Sequence, residues 1–160
     1  TQTDSPNRTY TDLKVIVNRN GGKMVPEDSF AWKFKEAGLI KCEVNLINLA
    51  KLANNPEAYI NDEIILNLME LEGLENINHY SEENSYYIEI FIAKKGLREL
   101  QMTIIEKYSN ILDIREAKLI KVASEKVKLS KEEQSRVNIL LEKIEEYPDV
   151  VEIWSNIEYY

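Results

Sequence analysis

The sequence is poor in the residues that supply special chemistry. It has one cysteine, Cys42, and one histidine, His79, among 160 residues. A single cysteine excludes an internal disulfide and suits a reducing compartment. There is no Cys-x-x-Cys, His-x-x-x-His or nucleophile-elbow motif, so neither a structural zinc site nor a hydrolase is indicated. We therefore predict no catalytic residue, no metal ligand and no cofactor.

Long apolar runs and an excess of positive charge are also missing. No run approaches the roughly 18 to 20 residues that a membrane helix needs, so no membrane partner is expected. The composition, 44% hydrophobic and 30% charged, is that of a globular protein. The formal net charge of −8 makes the chain a poor stand-alone binder of duplex DNA, although net charge alone does not exclude a local basic patch.

Hydrophobic periodicity predicts alternating helices and hairpins, which is an α+β pattern. The first helix is predicted to start at Thr9 as its N-cap and to end at Gly21-Gly22. Ser29–Val44 is predicted to form a β-hairpin whose loop is Glu36-Ala37-Gly38. The remaining predicted elements are a linker over 45–61, a helix from Asp62, strands near 75–80 and 86–92, a helix over 97–108, a strand near 114–122, a helix capped by Ser130 and a strand over 150–157.

Two features of residues 17–34 allow a functional or a structural interpretation. Gly21-Gly22 follows a helix, where the backbone dipole is negative, which favours a helix C-cap over a phosphate-binding loop. Phe30, Trp32 and Phe34 alternate as on one face of a strand, which favours a core role over stacking on bases. We also expect His79 to be exposed at a strand end and Cys42 to be a buried, inert thiol.

Several segments, taken together, resemble one family. "TDSPNRT", "NGGKMVPEDSFAWKFKEAGLI", "GLENI" and "LLEKIEEYPDVVEIWSNIE" occur in order and at matching spacing. They are similar to the YebC family, whose mitochondrial members are known as translational activators of cytochrome c oxidase. Lys23, Val25 and Asp28 depart from the family pattern within the loop after the double glycine.

The resemblance implies two ferredoxin-like α/β sandwich domains with antiparallel sheets, one inserted into the other. The middle domain would be residues 1–44 plus 130–160, residues 45–61 a linker and residues 62–129 the inserted domain. The family's basic N-terminal helical bundle and the first strand of the middle domain would be missing. A helix starting near residue 9, where such a sandwich normally starts with a strand, independently suggests that missing strand.

The family's function implies a non-enzymatic translation factor that binds RNA or the ribosome. The alternative is a DNA-binding transcriptional regulator that uses the missing N-terminal domain. A polar, basic surface is then expected to face nucleic acid or the ribosome, with contacts from Arg8, Lys14, Arg19 and Lys23. The resemblance places such a protein in the mitochondrial matrix or, if bacterial, in the cytoplasm; the sequence says nothing of its oligomeric state.

Overall fold

The computed structural model describes residues 1–158 and divides the chain into two compact units. Unit 1 consists of Thr1–Lys35 and the residues from Val122 on, and unit 2 is Glu36–Lys121. The fold is α+β, as the sequence predicts. The units do not coincide with the expected residue ranges, because residues 36–61 lie in unit 2 and residues 122–129 lie in unit 1. The correspondence between these units and the family's middle and inserted domains stays a prediction.

Unit 2 has the strand and helix order of a ferredoxin-like sandwich. Its sheet has the order β2-β3-β1-β4, and β3 pairs antiparallel with both β1 and β2. Several short helical elements connect β1 to β2, and one continuous helix connects β3 to β4. The elements are β1 Phe34–Val44, α2 Leu46–Leu52, α3 Pro56–Tyr59, a π-helical stretch Ile60–Ile65, α4 Leu66–Met69, β2 Leu74–Glu82, β3 Ser85–Ala93, α5 Leu97–Tyr108 and β4 Leu112–Ala123.

One face of this sheet carries the hydrophobic core of the chain. Alternate residues of β1 and β3 point to this face, and helices cover it. Every member of the core cluster is at most 7% exposed. Its members are Ile40, Cys42, Val44, Leu49, Ile60, Ile64, Leu68, Ile88, Ile90, Ile92, Leu100, Ile104, Tyr108, Ile111 and Leu112.

The predicted hairpin over Ser29–Val44 is wrong. Ala37 and Gly38 lie inside the continuous strand β1, where they pair with Ala93 and Ile92 of β3. The glycine serves close packing: a Cβ on Gly38 would lie 2.8 Å from Leu97 Cδ1. The absence of a side chain at Gly38 therefore allows α5 to pack closely against the sheet. A sequence rule that links glycine to turns does not detect this role.

The expected linker over residues 45–61 is helical and belongs to the core of unit 2. Asn45 and Asn55, which suggested a loop, are N-caps that accept hydrogen bonds from the backbone N–H groups of Asn48 and Ala58. Leu49 is fully buried in the core cluster. The asparagine-rich composition thus reflects helix starts.

Unit 1 contains two longer helices and little sheet. α1 spans Pro6–Arg19, α6 spans Lys131–Glu145, and two-residue strands β5 Val127–Lys128 and β6 Ile157–Glu158 pair in parallel. The predicted strand over 150–157 is wrong, because residues 150–156 have no strand structure and pairing starts at Ile157. The expected antiparallel sheet is therefore not formed in the described part of this unit. Tyr159 and Tyr160 lie outside the described residues.

Two of the three helix-end predictions in unit 1 are confirmed. Gly21, at φ +80°, occupies the left-handed position that ends α1, and the Gly22 N–H donates to Val17 O at 2.9 Å, so the C-cap interpretation is confirmed. Ser130 and Glu133 form the predicted capping box at the start of α6. Thr9 is not an N-cap, because α1 begins at Pro6.

Replacing a core residue of β1 tests the assignment of this strand to the core of unit 2. Ile40→Ala should lower the free energy of unfolding by about 2–5 kcal/mol, since it removes fully buried methyl and methylene groups. Urea unfolding followed by circular dichroism measures the change. The matched control is Ile47→Ala, whose isoleucine is 73% exposed and should change stability by no more than about 0.5 kcal/mol. Equal losses for the two variants would contradict the assignment.

Candidate nucleic-acid interface

The exposed side of α1 is basic and contains no carboxylate. At roughly 100° per residue, six exposed polar residues fall within roughly 140° around the helix axis. We call this set the α1 polar face: Asn7, Arg8, Thr11, Lys14, Asn18 and Arg19. The one acidic residue of α1, Asp12, is half-buried and accepts a hydrogen bond from the Tyr147 hydroxyl at 2.6 Å. The helix therefore turns its carboxylate inward and its cations outward.

Most of these cations are free of ion pairs. Arg8 lies 3.7 Å from both Asp4 and Asp149. Lys14, Arg19 and Lys23 make no ion pair within residues 1–158. Because no carboxylate neutralises them, their charges are available to an external anion.

A buried polar contact holds α1 in this orientation. Thr9 is 3% exposed and donates a hydrogen bond from its hydroxyl to Asp149 Oδ2 at 2.6 Å. The Asp149 backbone carbonyl also accepts from Gln2 N at 2.9 Å. The bond from Thr9, with further contributions from Thr3 and Arg8, holds the pKa of Asp149 below its usual value. Residues 147–149 thus fix which side of α1 faces the protein.

The structure places the four predicted contact residues on or just beyond α1. Arg8, Lys14 and Arg19 belong to the α1 polar face, and Lys23 is exposed directly after Gly21-Gly22. Their contact with nucleic acid or the ribosome stays a prediction. In the sequence these residues are scattered basic positions, and in the structure three of them share one carboxylate-free face.

The predicted core role of Phe30 and Trp32 is wrong. They lie in a loop of two 3₁₀ turns, Glu27–Ser29 and Ala31–Lys33, and are 39% and 70% exposed. The Ser29 hydroxyl donates to Pro26 O at 2.5 Å and the Lys33 N–H to Phe30 O at 2.9 Å. These bonds close turns in which alternate residues do not share a strand face. "PEDS" was the sequence signal for a turn here.

Two cations of unit 2, Lys41 and Arg115, are by contrast engaged within the protein. The Arg115 guanidinium contacts Glu43 at 2.6 Å, and the Ser85 hydroxyl donates to the same carboxylate at 2.9 Å. Ser85 and Arg115 together lower the pKa of Glu43. The Lys41 ammonium lies 4.6 Å from the centroid of the Tyr87 ring. These side chains are therefore less available to an external anion than those of α1.

The candidate reactive residues have ordinary surroundings. Cys42 is fully buried, and burial raises the pKa of its thiol to about 12, so it is inert at neutral pH as expected. His79 is exposed on β2, and its Nδ1 lies 2.5 Å from the Tyr86 hydroxyl. No group of three His, Cys, Asp or Glu residues within 1–158 could hold a metal ion. No helix in the described chain is long and apolar enough to cross a membrane.

Comparisons with known proteins give a matching family model and matching relatives. The family model for the TACO1/YebC second and third domain matches residues 1–157. Probable transcriptional regulatory proteins of Borrelia duttonii and Thermus thermophilus are 30% and 27% identical over 156 and 158 residues. Both alignments cover 98% of this chain, but only 56% and 54% of the relatives. The chain thus spans about half the length of the curated relatives that it matches.

A solved structure shares the fold. The crystal structure of a conserved hypothetical protein from Aquifex aeolicus superposes with a TM-score of 0.72 at 20% sequence identity. The match covers 98% of this chain and 56% of that protein. At this identity the likeness supports the α+β fold and carries no information on function.

Removing the carboxylate that anchors α1 should change the acid stability of unit 1. The lowered pKa of Asp149 means that its stabilising effect is present above the unfolded value, about 3.9, and is lost as pH falls through the folded value. Asp149→Asn should therefore lower the thermal unfolding midpoint at pH 6, and the difference from wild type should shrink below about pH 4.

The control for this prediction is Asp4→Asn. The Asp4 side chain is 94% exposed, and its contact with Arg8 is long, so the variant should unfold like wild type. Thermal unfolding is followed by circular dichroism from pH 2 to pH 7. If the unfolding midpoints of Asp149→Asn and wild type differed as much below pH 3 as at pH 6, the role of the ionised carboxylate would be contradicted.

Proposed function

Because the chain belongs to the TACO1/YebC family, we propose that it is a non-enzymatic regulatory protein that binds nucleic acid through the α1 polar face. One observation carries this proposal: in a chain of net charge −8, three cations share a helix face that has no carboxylate. Charge attracts a polyanion locally even when the bulk charge is unfavourable. The names of the bacterial relatives favour regulation of transcription, with DNA as the partner.

The chemistry of the α1 polar face suits phosphate groups. Arg8 and Arg19 present planar guanidinium groups that can bind phosphate in a bidentate manner, and Lys14, roughly 120–140° from them around the helix axis, adds a point charge. Asn7, Asn18 and Thr11 add neutral hydrogen-bond donors, which often contact phosphate and sugar oxygens. Such contacts position a nucleic acid without reading its sequence, so specificity would come from other parts of the protein.

RNA or the ribosome is the second candidate partner, which would make the protein a translation factor. The observation that favours it is the exposure of Trp32, since aromatic side chains stack on the unpaired bases that RNA offers. The low content of basic residues points the same way, because strong binding to duplex DNA requires many phosphate contacts.

Substituting the cations of the α1 polar face tests the proposal directly. Arg8→Ala/Lys14→Ala/Arg19→Ala should weaken binding to every nucleic acid that the wild type binds. For B-DNA, the slope of log K against log salt should fall in magnitude by about 0.9 per lost phosphate contact, and by about 0.7 for a single strand. Fluorescence anisotropy with labelled duplex DNA and single-stranded RNA, from 25 to about 200 mM salt, measures both effects.

A charge-matched control lies in unit 2. Lys51→Ala/Arg98→Ala/Lys107→Ala also removes three exposed cations and should leave both affinity and salt slope unchanged. Co-sedimentation with purified ribosomes forms a third arm. Preference for duplex DNA supports a transcriptional role, and preference for RNA or ribosomes supports a translational role. Absence of binding in all three arms, or equal losses in the two triple variants, would refute the proposal.

A further inference from the structure

Trp32 is held in an exposed position that packing within unit 1 does not explain. It is 70% exposed, whereas the other tryptophan, Trp154, is 38% exposed. A large aromatic ring in water is common at binding surfaces, where one apolar side chain supplies much of the contact energy. The ring is therefore a candidate contact for a partner.

The loop that carries Trp32 is fixed by several backbone hydrogen bonds. Phe30 N donates to Glu27 O at 3.2 Å and Lys33 N to Phe30 O at 2.9 Å, so Trp32 lies within the second of two closed turns. Lys33 O accepts from Ser124 N at 2.8 Å, which ties the end of the loop to another segment of unit 1. A loop backbone held in this way loses little conformational entropy when a partner binds.

One positive charge lies beside the ring. The Lys33 ammonium lies 5.5 Å from the centroid of the Trp32 ring. The same unit carries the α1 polar face and the unpaired Lys23. An aromatic ring with an adjacent ammonium complements a nucleotide, whose base is flat and whose phosphate is negative.

We infer that Trp32 stacks on an unpaired base of a single-stranded nucleic acid, while the Lys33 ammonium pairs with a phosphate of the same strand. This inference rests on the proposed nucleic-acid function and narrows its ligand to strands with accessible base faces. In a duplex each base face is covered by its neighbours, so duplex DNA offers Trp32 no stacking surface along its length. RNA and single-stranded DNA share the required chemistry.

Tryptophan fluorescence tests the stacking directly. Trp154→Phe leaves Trp32 as the single tryptophan of the chain, and its emission should be quenched when a 12-nucleotide single-stranded RNA or DNA is added. A duplex of the same sequence should give little quenching. Stronger binding of the RNA strand would identify RNA as the source of the unpaired base, and stronger binding of the DNA strand would identify single-stranded DNA.

Substitution gives a second measurement. Trp32→Ala should weaken binding of the single strand about 5- to 150-fold, the range for loss of one aromatic stacking contact. Trp32→Phe, which keeps a smaller ring, should retain most of the affinity, and Trp154→Phe should retain all of it. Because Trp32 is mostly exposed, the alanine variant should keep the wild-type circular dichroism spectrum.

The outcomes separate this inference from the proposed function. Unchanged affinity of Trp32→Ala, absence of quenching, or equal quenching by the duplex would each overturn the stacking inference. Nucleic-acid binding that still depends on the α1 polar face would then leave the proposed function standing. Absence of any binding by the wild type would overturn both. A concentration-dependent blue shift of Trp32 emission without nucleic acid, together with a dimeric mass, would show that a second copy covers the ring and would also overturn the inference.

Discussion

The close approach of α5 to β1 at Gly38 is the constraint on which unit 2 depends. A side chain at this position would collide with Leu97, and Leu97 opens the helix whose Leu100 and Ile104 enter the core. With α5 in contact with the strand, β1 buries Ile40 against β3 and the sheet gains a continuous apolar face. The glycine therefore acts through packing distance, and its φ angle is not left-handed.

Unit 1 is organised by polar contacts more than by apolar packing. Among its described residues only Thr9 and Val17 are buried. The hydrogen bonds from Thr9 to Asp149 and from Tyr147 to Asp12 orient α1. Directional bonds select one face of a helix as an apolar contact does, and here they leave the cationic face exposed. The orientation of this face is therefore coupled to the ionisation of Asp149.

Features that depend on hydrogen bonds within one helical turn can be predicted from the sequence. The capping box at Ser130 and the left-handed Gly21 depend on bonds within one turn, so the residues that cause them are adjacent in the chain. The role of Gly38 depends on Leu97, which is distant in sequence, and it was misread. Asn45 was misread for another reason: asparagine serves both loops and helix N-caps, and only the following backbone distinguishes them.

The same difference between local signals and long-range contacts applies to the candidate site. Arg8, Lys14 and Arg19 could be named from composition, but that they share a carboxylate-free face follows from the helical periodicity together with the inward contact of Asp12. The exposure of Trp32 could not be deduced, because alternation of aromatics is compatible with a buried strand and the 3₁₀ turns depend on bonds at Pro26 and Phe30. An alternation of apolar and polar residues indicates a buried face only where the segment forms a β-strand.

Charge is distributed unevenly between the two units, and this affects where a polyanion can bind. Glu36–Lys121 contains 9 Lys and Arg against 15 Asp and Glu, so unit 2 carries most of the net −8. An exposed charge acts over about 8 Å at physiological salt, so binding responds to the local surface and not to the sum over the chain. α1 has three cations and one carboxylate, which is turned inward. The local surface of α1 is therefore more favourable to a polyanion than the acidic surface of unit 2.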